Sequence, residues 1–132
     1  MAEEQEVLVS PDLVLEYVTS AVSLSKDDNI GVQVVNDSGL PETARVVIYQ
    51  NTGAGAKVVA DTGRVTVAAT WTWGLSFPVK DPGEYWLRIQ ASSEALIPKA
   101  SFERLDGAIW KLVESYRPGD FAVFSLTRKR LW

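Results

Sequence analysis

The sequence predicts an all-β protein, an antiparallel β-sandwich of about 7–9 strands in a single domain. Three observations lead there. Apolar side chains recur at every second position along most of the 132-residue chain. Turn-forming clusters interrupt it at roughly 8–12-residue spacing. No segment sets amphipathic helices between strands in the manner of parallel βαβ units.

Taken in order, residues 1–8 read as a disordered, acidic N-terminal segment and 9–132 as one sandwich domain. "PDLVLEYVTSAVSL" has a helical score with Asp12 near its start, but its Val, Tyr and Thr content favours a strand or an irregular lead-in. "IGVQVV" sets Ile30, Val32 and Val34 on one side, and "ARVVIYQ" sets Val46 and Ile48 opposite Arg45, Val47 and Tyr49. "GRVTVAA" joins Val65 with Val67. "EYWLRIQ" places Tyr85, Leu87 and Ile89 opposite Glu84, Trp86, Arg88 and Gln90, and "DFAVFSL" alternates again through Ala122, Phe124 and Leu126.

Between these segments lie "SKDDN", "NDSGLPE", "NTGAGA", "DTG", "KDPGE", "LDG" and "RPGD". In "KDPGEYW" and "YRPGDFAVF", Pro-Gly suits the two central positions of a type II turn, because proline presets φ and glycine accepts a positive one. "SSEALIP" has room for one helical turn before Pro98.

Composition narrows the chemistry. The chain has no cysteine and no histidine, which excludes disulfides, thiolates and His-based nucleophilic triads. A zinc site would have to be built from carboxylates alone. The net charge of −4 argues against a nucleic-acid surface. No apolar run reaches membrane-span length, and the acidic start lacks the features of a secretory signal, so the expectation is a cytoplasmic protein with no membrane insertion.

The aromatic residues are the remaining candidates. In "TWTWGLSF", Trp71, Trp73, Leu75 and Phe77 share one face if the segment is a strand. That face is expected in the core or a subunit contact, because leaving it open would expose several hundred Å² of apolar surface. The other reading is a glycan-stacking platform, and a bulge at Gly74 would turn the indoles outward. Trp86 shares its side with Glu84, Arg88 and Gln90. It lies flat over the sheet against Arg88, or it anchors a partner, since Trp with Arg is common at interface hot spots. Trp110 is ambiguous. Trp132, at the end of the basic "TRKRLW", is either disordered or docked on another chain. Asp27, Asp28 and Asp37 are read as turn formers, with a calcium loop as the minor alternative. No cofactor is expected.

The run "VVNDSG…ETARVVIYQNTG…VTVAATWTWGLSFPVKDPGEYWLRI" resembles an immunoglobulin- or fibronectin-like module, although the cysteine–tryptophan–cysteine hallmark is missing. Over residues 30–107, "ARVVIYQ", "VTVAATWTW" and "IQASSEALIPKASFERLDG" look like the strand order of bacterial sensory-rhodopsin-transducer proteins. That resemblance implies a small cytoplasmic sandwich that forms oligomers and binds a partner, and it carries no functional residue across. The functional expectation is a non-enzymatic sandwich acting through self-assembly and protein contacts, a homo-oligomer with a further protein partner. The alternative is a carbohydrate-binding module, and a carboxylate-only enzyme ranks last.

Overall fold

The computed structural model describes residues 12–126. The expected disordered segment at 1–8, the tail "TRKRLW" and Trp132 lie outside the described residues. Among the described residues eleven strands form two antiparallel sheets. They are β1 (Leu15–Val18), β2 (Val22–Leu24), β3 (Asn29–Asn36), β4 (Glu42–Thr52), β5 (Gly55–Asp61), β6 (Val65–Val67), β7 (Thr72–Pro78), β8 (Gly83–Ala91), β9 (Leu96–Asp106), β10 (Ile109–Tyr116) and β11 (Ala122–Ser125). The larger sheet runs β11-β1-β8-β4-β5, with β2 also on β8 and β6 also on β4. The smaller sheet runs β10-β9-β3-β7.

The period-two pattern fixes which side of each strand is buried. Ile30, Val32 and Val34 of β3, with Phe102 beside them on β9, share one core with Val46 and Ile48 of β4 and Leu87 and Ile89 of β8 in the larger sheet. The outward residues of β8 are Glu84, Trp86, Arg88 and Gln90, as the alternation predicts.

The strand number exceeds the expected 7–9 for a local reason: two threonines break strands that pattern alone would leave continuous. Thr19 separates β1 from β2 while both remain paired with β8, because its Oγ1 accepts the Leu87 N–H at 3.0 Å and its own N–H reaches the Leu87 carbonyl. Thr62 does the same between β5 and β6, accepting the Val46 N–H at 3.0 Å while Gly63 takes φ 64°. Such side-chain bonds compete with the ladder and end it without leaving a backbone group unpaired.

Three turn expectations are corrected. "SSEALIP" forms bends and one turn closed by the Leu96 N–H on the Ser93 carbonyl at 3.3 Å, with no helix, and Pro98 sits inside β9, buried opposite Val34. "RPGD" is a 3-10 turn, Pro118–Asp120, closed by the Arg117 N–H donating to Asp120 Oδ2 at 2.9 Å, rather than a type II reversal. In "KDPGE", Gly83 opens β8 at a nearly extended φ of 159°, away from the roughly +80° that a type II turn asks of its glycine.

Buried charge appears at the β2–β3 turn. Asp28 is 2 % exposed and accepts from Arg104 through both Nε and Nη2, and from the Ser25 N–H at 2.7 Å. Arg104 lies one residue past Glu103, the last residue of β9 that pairs with β3. Beyond that point β9 and β10 pair only with each other, so the hairpin projects past the sandwich with this ion pair at its base.

The Arg104 hydrogen bonds hold the Asp28 carboxyl below its usual range, and the Arg45 bonds hold Asp61 at about 2. A carboxylate whose folded pKa is depressed adds stability above its unfolded pKa and loses it as the pH falls through the folded value. Resistance to urea should therefore hold near neutrality and decline between about pH 4 and pH 2. Asp28→Asn should flatten that decline, and an equally steep fall in the variant would remove Asp28 as a cause.

Candidate functional site

Two outer faces offer polar or aromatic groups to a partner. On the larger sheet, the antiparallel register sets Tyr49 of β4 beside Trp86 of β8, and the rings stack at 4.1 Å and 12°. The Arg88 guanidinium carbon lies 5.4 Å from the Tyr49 centroid and 5.8 Å from that of Trp86, within cation–π range. Arg88 Nη1 donates to the Tyr49 hydroxyl at 3.2 Å, and its Nε lies 3.1 Å from Glu16 Oε1 in an ion pair. Gln90 donates to the same Glu16 oxygen, and Trp86 Nε1 donates to Asn51 Oδ1 at 2.9 Å. The strand positions that expose these side chains also let them satisfy one another. Each ring spends one face on the other, and most of the polar groups are partnered within the cluster, with the buried Arg88 Nε held by the Glu16 ion pair but by no hydrogen bond.

Trp73, Leu75 and Phe77 of β7 turn toward the core and are half-buried. The β3–β7 register runs without a shift from Asn29↔Pro78 to Val35↔Thr72, so Gly74 makes no bulge. Trp71 stands just before β7, next to Thr70 at φ 64°, and is 68 % exposed. The two indoles thus part company, one inward and one to solvent, and do not form a flat stacking platform.

The smaller sheet carries the other surface. On its outer side β9 presents Ile97, Lys99, Ser101, Glu103 and Leu105, since Leu96, Pro98, Ala100 and Phe102 are buried. Leu105 pairs with Trp110 across the hairpin. Leu112 pairs with Glu103 in the same unshifted register as Trp110 and Leu105 and so shares their outer side, and a β-bulge between Leu112 and Glu114 then inserts Val113. Leu105, Trp110 and Leu112 are 47, 47 and 64 % exposed, and Ile109 is open on the reverse of the hairpin. Beside this apolar arm an open groove of about 660 Å³ crosses the sheet, floored by Gly31, Gly74, Ser76 and Ser101.

These pieces place the sequence candidates. Trp86 and Arg88 come together in the cluster with Tyr49 and Glu16, which the alternation did not single out. Trp71 and Trp73 are not brought together. Trp110 belongs to the exposed hairpin, and its neighbours Leu105, Ile109 and Leu112 carried no signal beyond a strand, "AIWKLVESY", that lacks a continuous polar side. Asp28 has its oxygens occupied by Arg104 and Ser25. Among the described residues no group of three acidic side chains is placed to hold a metal ion, and no helix is long and apolar enough to cross a membrane.

No family model and no curated protein matches the sequence. The fold is similar to a solved crystal structure, Thermotoga maritima 1070, at 7 % identity and a TM-score of 0.58, covering 80 % of this chain and 93 % of that one. At this identity the likeness concerns the fold alone.

Proposed function

We propose that this protein is a non-enzymatic assembly module, a β-sandwich that works through self-association and contacts with other proteins. The observation that carries the proposal is the open apolar hairpin. Leu105, Ile109, Trp110, Leu112 and Val113 are all exposed. With Ile109 on the reverse of the hairpin, the others present roughly 350 Å², within the range of the largest contiguous patch a monomer leaves to water. The polar cluster on the opposite sheet, whose groups already serve one another, supports a structural role for Trp86 and Arg88. The immunoglobulin- or fibronectin-like character and a cytoplasmic setting belong to the same proposal, supported by the two-sheet architecture and by the residue pattern.

Sedimentation equilibrium at micromolar protein is expected to give a mass above one chain. A single-chain mass across the whole concentration range would overturn the self-association reading. A carbohydrate-binding role rests on Trp71 alone, whose 68 % exposure leaves one ring free to stack on a sugar.

A further inference from the structure

The outer side of β9 has a chemical order that reads the same under reversal once charge is inverted: apolar Ile97, cationic Lys99, small Ser101, anionic Glu103, apolar Leu105. Its neighbours extend the order. Val35 pairs with Ile97 on β3, Gly31 pairs with Ser101, and Trp110 pairs with Leu105 on β10. From this pattern we infer that the outer face of the smaller sheet is a two-fold self-docking surface whose occupant is a second copy of the chain. The inference rests on the self-association reading above and assigns it a face and a register.

The geometry follows from symmetry. A two-fold axis lying between the faces at Ser101, across the strands, sets β9 antiparallel over β9 of the second copy. Lys99 of each chain then meets Glu103 of the other. Leu105 of each chain meets Ile97 of the other, and because this axis keeps each strand on its own side, β10 with Trp110 and Leu112 lies over β10 of the second copy. Isologous contacts require this kind of self-complementarity. Close approach at the centre is possible because the residues there are small. A Cβ built on Gly31 would stand only 2.9 Å from Ser101 Oγ, and Gly74 and Ser76 continue the low floor.

Two further features favour face over edge. The bulge at Val113 interrupts the edge of β10, a device that discourages strand addition there. The size is also adequate. Nine residues of β9 and four strands span about 30 by 19 Å, on the order of 570 Å² per copy. Two copies exceed the roughly 1,000 Å² expected of a specific interface.

The test is a charge swap read by sedimentation equilibrium. Lys99→Glu and Glu103→Lys are each expected to weaken self-association by about tenfold or more, because each sets like charges together twice. Mixing the two variants should restore a dimer, since Glu at 99 then faces Lys at 103 and Glu103 faces Lys99. Far-UV circular dichroism checks that each variant keeps its fold, and restoration on mixing is a readout that misfolded chains would not give. If the wild type assembles but neither swap weakens it, or mixing restores nothing, this face is overturned while self-association stands. A wild type that captures a different protein yet stays a single chain alone overturns both.

Discussion

Phe102→Ala is expected to lower the unfolding free energy by about 3–5 kcal/mol, the range for truncating a large aromatic in a core. The ring is wholly buried on β9, opposite Ile30 of β3. Its edge meets Tyr116 at 6.1 Å, and Tyr116 in turn meets Phe121 at 5.3 Å. This aromatic chain links the smaller sheet to the segment that crosses over to β11, so removing its first member leaves a cavity between the layers rather than at a rim. Urea unfolding followed by far-UV circular dichroism measures the change. A loss below about 1 kcal/mol would mean that the ring does not fill the core, since even a single buried methylene is worth about 0.8 kcal/mol.

Asn36→Ala is expected to cost about 2–3 kcal/mol, because the buried Val67 carbonyl and the partly buried Leu40 carbonyl both lose their donor. Asn36 is 1 % exposed at the end of β3. Its Nδ2 donates to the Leu40 carbonyl at 2.8 Å and to the Val67 carbonyl at 2.9 Å, and its Oδ1 accepts from the N–H and Oγ of Ser38. Val67 belongs to the larger sheet, so one side chain ties the two layers together and closes the "NDSGLP" loop. Asn36→Asp separates the roles. It keeps an acceptor for Ser38 and removes both donated bonds, so it should be nearly as destabilising as the alanine variant. A mild effect for Asp with a severe one for Ala would shift the weight to the Ser38 contacts.

The sheets were legible in the sequence wherever one side of a strand meets the core and the other meets water. In β3 and β8 the buried and outward positions fall where the alternation places them, and in β4 Val46 and Ile48 do, whereas Val47, expected outward, is buried as well. Legibility ended where a side chain substitutes for backbone. Nothing about Thr19 or Thr62 taken singly reveals that its hydroxyl ends a strand, and Asn36 in "NDSG" looks like any turn asparagine. Trp86 was correctly set on a polar face, but its stack on Tyr49 depends on a β4–β8 register that one strand's pattern does not contain. The hairpin was hardest to read because Ile109 and Trp110 are adjacent and the bulge puts Leu112 and Val113 out of step. Period-two reading has no rule for a strand that leaves the core with both sides open.

The account's central claim is that the working surface is the outer face of the smaller sheet and that the aromatic cluster of the larger sheet is structural. Sedimentation equilibrium of two variants beside the wild type tests it most directly. Leu112→Glu places a charge in the exposed apolar arm, and Asn51→Lys places one at the edge of Trp86 without removing the ring stack. The account predicts that Leu112→Glu falls to the mass of one chain while Asn51→Lys keeps the wild-type mass. An assembled Leu112→Glu beside a dissociated Asn51→Lys would contradict it.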